Sequence, residues 1–444
     1  MEQNNSYDFI AIGVGPFNLG LAALTNPIKE LNGLFIDRAE TFDWHPGMML
    51  ESTTLQIPFL ADLVTLADPM NPFSFLNYAK ETGKIYSFYI RENFLLLRKE
   101  YNQYCNWVIQ KLPNVCFGIE VSHIEFDQQN NIYVVETCNV STNELKVFRT
   151  KKIVLGTGTT PFIPENCRDL KDRLIHNAHY LHHKTRIQSK KRITVVGSGQ
   201  SAAEVFYDLL QDSDTYNYEL NWITRSARFF PMEYTKLTLE MTSPEYVDYF
   251  YHLPDETREK LNKNQKNLYK GINQDLIAEI FNLLYTKQLD GDLKVSLRTN
   301  SELYQINEKD GVFELTFHQQ EQNKFYRHET DEVILATGYH YQQPAFIEGI
   351  KDRINWDEKG RYAVSRDYTI DLNENEIFVQ NAEQHTHGFV TPDLGMVAYR
   401  NSIIINQLLG REYYAVEKKI AFQQFEVNAE EEVFIDALQL QHES

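Results

Sequence analysis

Two glycine fingerprints, each placed where a strand gives way to a helix, most constrain what this chain can fold into. The first is GVGPFN at residues 13–18, after an apolar run at 7–12, and the second is GSGQSA at residues 197–202, after an apolar run at 193–196. Glycines at such a turn let backbone N–H groups approach a pyrophosphate at the positive end of the following helix. One fingerprint is weak evidence, because glycine-rich turns are common. Two in the same context predict two Rossmann-like units, each binding a dinucleotide.

The residue that ends the second strand of each unit predicts which dinucleotide the unit takes. Asp37 lies 22 positions after Gly15 (37 − 15), near the spacing of about 20 at which a carboxylate accepts a ribose hydroxyl. In the second unit the corresponding strand ends in Arg225, with Arg228 close behind, and a guanidinium there favours an extra 2′-phosphate. The first pattern therefore favours FAD, and the second favours NADPH.

Charge and cysteine content limit the partners and the compartment. The 444 residues carry 43 Lys and Arg against 62 Asp and Glu, and this net charge of −19 argues against nucleic acid and anionic membranes as partners. Four cysteines without CxxC spacing are typical of a reducing compartment. Residues 1–5 contain no basic segment of the kind that opens a signal peptide. We therefore expect a cytoplasmic protein without a membrane segment.

The order of the fingerprints predicts an α/β fold with two Rossmann-like dinucleotide-binding domains, one inserted into the other. We assign residues 1–188 to the first part of the FAD-binding domain and residues 189–338 to the NADPH-binding domain. Residues 339–444 form a return segment of the FAD-binding domain, with a C-terminal helix and a charged tail. An aromatic, helical stretch at about 231–288 is interpreted as a helical insertion near the active site.

Local patterns predict further elements. Prolines interrupt the helical period between residues 42 and 75, which predicts a long ordered loop region. Residues 93–112 have the pattern of an amphipathic helix, and short runs from 115–117 onward alternate like the strands of a small antiparallel layer. Two apolar strands, at 152–158 and 332–338, end in Thr-Gly, where the chain can come close to a cofactor before it crosses between domains.

Six longer motifs make the chain recognisable. They are IGVGPFN at 12–18, FDWHPG at 42–47, FLADL at 59–63, NPFSFLNY at 71–78, GSGQSA at 197–202 and HTHG at 385–388. Together they resemble the N-hydroxylating flavin monooxygenases of siderophore biosynthesis, which hydroxylate lysine, ornithine or diamines. The resemblance covers residues 7–409 and is closest in pattern to the diamine N-hydroxylases.

The resemblance implies an NADPH-dependent flavin monooxygenase. In this family NADPH reduces FAD, dioxygen adds to give a hydroperoxyflavin, and a neutral amine nitrogen takes one oxygen atom to become a hydroxylamine. A free alkylamine has a pKa of about 10.4 and is mostly ammonium at neutral pH, so the protein must keep the amine deprotonated and exclude water. The family resemblance also implies a homo-oligomer, either a dimer or a tetramer.

The resemblance assigns roles to individual residues. Gln56 lies beside the flavin and is the candidate catalytic residue, Leu55 packs on the flavin ring, and Arg225 contacts the 2′-phosphate. The candidate cofactor-binding residues are Gly13, Gly15, Pro16, Asn18, Asp37, Trp44, His45, Leu55, Gln56, Gly197, Gly199, Gln200, Ser201, Arg225, Thr337, Gly338 and His387. The neighbouring histidines His385 and His387 lack a cluster of Cys or carboxylates, and we predict no metal site.

Three positions concern the substrate. Relatives that accept amino acids carry a lysine where this chain has Ala61, and the ornithine enzymes place an asparagine where an ungapped alignment puts Leu239. Neither residue can pair with a substrate carboxylate, and burying an unpaired carboxylate is strongly disfavoured. We therefore expect a decarboxylated diamine, putrescine first and cadaverine second, whose far ammonium pairs with Asp393.

Other functions stay open at this point. Lysine or ornithine N-hydroxylation is the first alternative, if another basic group replaces the missing lysine. Histamine would also fit a site without a partner for a carboxylate. A non-oxygenating flavin reductase and a nucleotide-binding regulator without turnover belong to different classes, although the lack of CxxC argues against a disulfide reductase.

Overall fold

The computed structural model describes residues 6–51, 53–289 and 291–433. The expectation about residues 1–5 and the end of the predicted charged tail lie outside these residues. The strands of the described residues are β1 Ser6–Ile12, β2 Gly33–Ile36, β3 Thr54–Pro58, β4 Leu95–Leu97, β5 Val115–Cys116, β6 Ile119–Asp127, β7 Ile132–Asn139, β8 Leu145–Leu155, β9 Thr159–Pro161, β10 Ile175–His176, β11 Arg192–Val196, β12 Glu219–Ile223, β13 Val295–Arg298, β14 Ser301–Lys309, β15 Val312–Gln319, β16 Lys324–Thr330, β17 Glu332–Leu335, β18 Tyr339–Tyr341 and β19 Ile377–Val379.

The α-helices lie mainly against the faces of the sheets and between β12 and β13. They are α1 Pro16–Thr25, α2 Phe75–Glu81, α3 Ile85–Arg91, α4 Arg98–Ile109, α5 Tyr180–Gln188, α6 Gln200–Tyr216, α7 Lys236–Leu239, α8 Pro244–His252, α9 Asp255–Asn264, α10 Gln274–Leu289, α11 Gln384–His387 and α12 Val397–Leu409. Short 3-10 helices lie at Pro46–Met48, Glu165–Leu170, Asn177–His179, Lys266–Leu268, Ala345–Arg353, Gly388–Val390 and Leu394–Met396. None of these helices is long and apolar enough to cross a membrane.

The first sheet has the strand order β5-β2-β1-β8-β7-β6, with β19 also paired to β8. β1 runs parallel to β2 and β8, so their carboxyl ends meet at one edge. Alternate residues of β1 face opposite sides: Phe9 belongs to the hydrophobic core on one face, and Ile10 to the core on the other. A parallel sheet covered on both faces is the expected product of such strand–helix–strand units. The return of the chain to this sheet through β19 agrees with the sequence pattern.

The second sheet is entirely parallel, in the order β10-β17-β11-β12-β13. α6 and α10 pack on the core that includes Val195, while Val196 faces the core on the other side. β9 and β18, which follow the two Thr-Gly segments, pair with each other, so the two crossings between the sheets lie side by side. The predicted α/β fold with two Rossmann-like units is confirmed, and the four helices between β12 and β13 form the predicted insertion. The exact domain limits stay a prediction.

Two local predictions are wrong in detail. The segment 115–117 is not part of an antiparallel layer, because β5 pairs in parallel with β2 at the edge of the first sheet. The helix predicted over 93–112 begins only at Arg98, since Leu95–Leu97 form β4 and pair with β3. In both places the sequence pattern indicates an apolar segment, but its partner decides the backbone conformation.

Candidate active site

The first fingerprint forms a tight turn between β1 and α1. Gly13 has φ +88°, and a Cβ there would collide with the Gly156 carbonyl at the end of β8, so the position requires glycine. The Val14 N–H donates to Oδ2 of Asp37 at 2.6 Å, so this carboxylate also fixes the glycine turn. Gly15 precedes α1, and a Cβ at Gly15 would meet no atom within 4 Å. The open space at the start of this helix fits an anion.

Asn18 lies behind this turn. Its side chain is 1% exposed, and its Nδ2 donates to the Gly13 carbonyl at 2.7 Å. Its Oδ1 accepts from Nε2 of Gln380 at 2.6 Å, while its amide fills the space left beside Gly156. These contacts give Asn18 a role in holding Gly13 in position, and it does not line the cavity described below.

The second fingerprint repeats the geometry between β11 and α6. Gly197 has φ +150°, and a Cβ there would meet the Ala336 carbonyl at the end of β17. The Gly197 carbonyl accepts from Nε1 of the buried Trp222 at 2.8 Å, which fixes the turn against β12. Gly199 immediately precedes α6, so this turn leads into the positive N-terminus of a 17-residue helix, as the first turn leads into α1.

A cavity of about 1260 Å³ lies where the carboxyl ends of both sheets meet. Of the predicted site residues, the cavity is lined by Pro16, Trp44, His45, Gln56, Gly197, Gly199, Gln200, Ser201, Arg225, Thr337 and Gly338. The remaining ones, which do not line it, are Gly13, Gly15, Asn18, Asp37, Leu55, Ala61, Leu239, His387 and Asp393. The fold thus brings together eleven residues that are separated by up to 322 positions (338 − 16).

The wall on the side of the first sheet combines aromatic and polar groups. Leu55 is buried in the hydrophobic core, and the next residue, Gln56, lines the cavity with an Nε2 that has no hydrogen-bond partner among the described residues. His45 lies between the rings of Trp44 and Tyr339. Burial, aided by the Arg98 cation, lowers the pKa of His45 to about 4, so its imidazole is neutral at physiological pH.

A buried ion pair beside the cavity joins α4 to α6, a helix of the second Rossmann-like unit. Arg98, at the start of α4, donates to both carboxylate oxygens of Glu204 in α6 at 2.8 and 2.9 Å, and to the Met48 carbonyl at 3.1 Å. The two side chains are only 13% and 2% exposed. Gln200 donates to the same carboxylate at 2.9 Å, so the ion pair also fixes a residue of the second fingerprint. No sequence motif indicates this pair, because the two residues are 106 positions apart.

Three basic side chains lie beside the second fingerprint. Arg225 is largely exposed, with its guanidinium 3.6 Å from Glu302. Lys266 and Lys270 line the same cavity as Arg225, and the pKa of Lys270 is lowered by burial and by these two neighbouring cations. Three positive charges at the end of a dinucleotide fold match the chemistry of a phosphate ester. The two lysines could not be assigned from the sequence, because they lie in the helical insertion.

Asp393, whose carboxylate is predicted to bind the substrate ammonium, lies at the edge of the cavity. Asp393 is flanked by Pro392 and Leu394, which both line it. Its Oδ1 accepts from the Gly395 N–H at 2.7 Å, and Oδ2 accepts none of the hydrogen bonds found among the described residues. Burial raises the pKa of Asp393, while the Gly395 N–H and the nearby Arg400 oppose the shift. Tyr234 of the insertion lies close to this carboxylate, which adds to the effect of burial in raising the tyrosine pKa.

The other two substrate positions lie away from the cavity lining. Ala61 is 8% exposed and ends a turn, with its N–H donating to the Pro58 carbonyl at 2.9 Å. Leu239 ends α7 and is partly exposed. Neither position carries a charged or amide side chain, as the sequence shows, and neither lines the cavity.

His387 lies inside the protein. It is 1% exposed, stacks on Tyr368 with ring centroids 4.5 Å apart, and bonds through Nε2 to the Arg366 carbonyl at 3.2 Å. Burial holds its pKa well below the usual range. His385 bonds instead to the Tyr362 carbonyl. Within the described residues, no group of three or more His, Cys, Asp or Glu is arranged to hold a metal ion.

These features fit two dinucleotides. Two helix N-termini that follow glycine turns face one cavity, and among the described residues the buried Nε2 donor of Gln56 has no partner. The Asp37 carboxylate is bound to the first turn, and the group of cations lies beside the second. The chemistry of the two ends therefore differs as the sequence predicts.

Comparison with known proteins gives the same assignment. A putrescine N-hydroxylase from Shewanella oneidensis is 52% identical over 94% of this chain and 84% of the relative. A cadaverine monooxygenase of the desferrioxamine pathway from Erwinia amylovora, solved with bound FAD, is 55% identical, with a TM-score of 0.94 over 96% of this chain and 100% of that one. An L-lysine N6-monooxygenase from Escherichia coli is 32% identical over 92% of this chain and 96% of the relative.

The family model described as L-lysine 6-monooxygenase/L-ornithine 5-monooxygenase matches residues 5–341, about three quarters of the chain. The match includes both glycine fingerprints, both Thr-Gly strand ends and the helical insertion. The chain therefore belongs to the L-lysine 6-monooxygenase/L-ornithine 5-monooxygenase family, as the six motifs predict.

Proposed function

We propose that this protein uses FAD, NADPH and dioxygen to N-hydroxylate a small primary diamine, putrescine first and cadaverine second, for hydroxamate siderophore biosynthesis. Two diamine enzymes at 52% and 55% identity support this more strongly than the lysine enzyme at 32%. The single observation that carries the substrate class is the position of Asp393 between two residues that line the cavity, in a chain that has Ala61 where relatives that accept amino acids carry a lysine.

The chain supplies the binding and orientation of two cofactors. The first glycine turn, Asp37 and Gln56 would hold FAD, and the second turn with Arg225 would hold NADPH. When bound, FAD reduced by NADPH activates dioxygen for transfer of one oxygen atom to the amine. The lining residues would exclude water and hold the substrate amine beside the flavin edge near Gln56.

A diamine has two nitrogens that need opposite protonation states. The far nitrogen stays an ammonium if it pairs with the Oδ2 atom of Asp393, since an adjacent opposite charge favours the charged form. The reacting nitrogen must lose its proton, and desolvation beside Phe17, Trp44 and Met48 lowers the pKa of an amine. The charge asymmetry of the cavity thus selects which nitrogen becomes the nucleophile.

Lysine or ornithine N-hydroxylation is the second candidate. Among the described residues, the Lys and Arg side chains that line the cavity are Arg98, Arg225, Lys266 and Lys270. Arg98 is bound to Glu204, and the other three lie together beside the second fingerprint. This distribution favours a substrate without a carboxylate. Histamine, which also lacks one, is retained in the substrate comparison.

The test is hydroxylamine formation by the FAD-loaded protein with NADPH over putrescine, cadaverine, histamine, lysine and ornithine. NADPH oxidation alone does not suffice, because a non-oxygenating flavin reductase would also consume it. We expect putrescine to give the highest kcat/KM and cadaverine the next. Highest kcat/KM for lysine or ornithine would reject the substrate assignment, and NADPH consumption without hydroxylamine from any amine would reject the reaction.

Restoring the cation of the amino-acid hydroxylases should harm diamine turnover. We expect Ala61→Lys to lower kcat/KM for putrescine about tenfold. The lysine would add an ammonium near the proposed substrate site, and this charge would repel the positively charged diamine. Ala61→Met is the matched control for side-chain length, and we expect it to retain more activity than the lysine variant. Equal losses in both variants would indicate a steric effect and remove the charge argument.

Arg225 should set the preference for NADPH over NADH. We expect Arg225→Ala to reduce the ratio of the two kcat/KM values about tenfold, since one guanidinium contact to phosphate is lost while Lys270 remains. Glu302→Ala is the control, because it removes the ion-pair partner of Arg225 but keeps the guanidinium. An unchanged ratio in Arg225→Ala would withdraw the assignment.

We also propose that the enzyme works in the cytoplasm as a dimer or tetramer. Exposed apolar side chains on and after α3, including Tyr86, Tyr89, Ile90 and Phe94, are each at least 70% exposed and support an interface between copies. Light scattering on the purified protein tests the oligomeric state.

A further inference from the structure

Asn177 is a buried amide whose side chain has no hydrogen-bond partner of good geometry among the described residues. It is 1% exposed, and neither its Nδ2 nor its Oδ1 forms such a bond, although Tyr339 is close enough for the amide to oppose the rise that burial causes in the pKa of the Tyr339 hydroxyl. Leaving a buried amide unsatisfied costs free energy, so such a group in a folded protein needs a ligand or an ordered water. Asn177 lines the cavity between the two glycine fingerprints. None of the sequence motifs includes this residue.

The backbone of Asn177 is held by both halves of the site. The residue follows β10, whose His176 pairs with Leu335 of β17, and it therefore lies level with the start of the Thr337–Gly338 segment. Ala178 follows Asn177, and a side chain at Gly47 would collide with the Ala178 carbonyl. The Trp44–Met48 loop therefore packs directly on the turn that contains Asn177. Tyr339 lies beside the amide and, like Asn177, lines the cavity. The amide is thus fixed at the junction of the two dinucleotide turns.

We propose that Asn177 binds the carboxamide of the nicotinamide ring and so positions the hydride donor, an inference that rests on the proposed function. An asparagine amide presents an N–H donor and a C=O acceptor side by side, and a carboxamide presents the complementary pair. The flavin ring also has an N–H beside a carbonyl. However, Asn177 directly follows β10, a strand of the sheet that carries the second fingerprint, and Gln56 on the opposite wall already offers a buried donor toward the flavin side.

The proposal is tested by nucleotide binding to the FAD-loaded protein, measured as Kd by fluorescence titration. Three ligands are compared: NADP⁺, its 3-acetylpyridine analogue, which replaces the amide NH₂ with a methyl group, and 2′,5′-ADP, which lacks the nicotinamide end. We expect Asn177→Ala to weaken NADP⁺ binding about tenfold and to leave 2′,5′-ADP binding unchanged, as expected for the loss of two hydrogen bonds. The variant should also lose the preference of the native protein for NADP⁺ over the analogue.

Asn166→Ala is the matched control, because Asn166 lines the same cavity but its Nδ2 already donates to the Leu303 carbonyl at 2.6 Å. It should retain the preference for NADP⁺ over the analogue. Asn177→Ser provides a second variant with a smaller polar group. The native protein alone also gives a result, since equal affinity for NADP⁺ and the analogue would overturn the proposal.

Two other outcomes would overturn it. One is equal weakening of NADP⁺ and 2′,5′-ADP in the Asn177 variants, which would indicate a general change of the fold. The other is loss of FAD or a shifted flavin absorption spectrum with unchanged NADP⁺ affinity, which would move the amide to the flavin. Failure of the native protein to bind either NADP⁺ or 2′,5′-ADP would instead reject the proposed function.

Discussion

Replacing Asp393 with Asn should reduce kcat/KM for putrescine about a hundredfold, mostly through a higher KM. The change removes the negative charge proposed to pair with the far ammonium, and loss of one partner from a partly buried charge pair costs about 2–5 kcal/mol. Asparagine keeps an oxygen for the hydrogen bond from the Gly395 N–H, so the local 3-10 helix should be preserved. The measurement is steady-state hydroxylamine formation at varied putrescine concentration.

Butylamine is the control substrate, because it has the same chain but no second ammonium. Asp393→Asn should leave its kcat/KM within about twofold of the native value, and an equal loss for both amines would contradict the assignment. The raised pKa of Asp393 adds a pH test. Since only the ionised carboxyl attracts an ammonium, the advantage of putrescine over butylamine should shrink as pH falls through that pKa, and should be absent from the Asn variant at every pH.

Glu204→Ala should destabilise the protein by about 3–5 kcal/mol, the typical cost of leaving one buried charge without its partner. The variant would leave the Arg98 guanidinium between α4 and α6, 13% exposed and without its carboxylate. It would also remove the hydrogen bond that Gln200 donates and leave the one that Gln200 accepts from the Asn273 N–H, so we expect NADPH to reduce the flavin more slowly even where the protein stays folded. Chemical denaturation and anaerobic stopped-flow reduction measure the two effects.

Two comparisons separate burial from charge. Glu314→Ala breaks the exposed pair with Arg327, whose side chains are 40% and 78% exposed, and should cost less than about 1 kcal/mol. The double replacement Arg98→Met with Glu204→Leu should be more stable than Glu204→Ala alone, because it removes the unpaired guanidinium. If Glu204→Ala were no more destabilising than Glu314→Ala, the pair would not be the link between α4 and α6 that its geometry indicates.

Local sequence patterns predicted the two glycine turns well, because their requirements are local. Gly13 and Gly197 need a backbone conformation that other residues rarely adopt, and each lies between a buried strand and a helix. The roles of Asn18 and His387 could not be judged in the same way. Both lie in family motifs, but the contacts of Asn18 with Gln380 and of His387 with Tyr368 place these side chains inside the protein. Their assignment to cofactor binding stays a prediction.

The sequence by itself determined the α/β fold, the family and the chemical difference between the two dinucleotide ends, because each depends on a few residues at fixed spacing. Only the tertiary structure decided which side chains share the cavity. Arg98 meets Glu204, and Ala178, the residue after Asn177, lies against Gly47, through packing between segments that are far apart in the chain. The orientation of a side chain and its desolvation on burial depend on those distant neighbours. No local sequence pattern encodes either property.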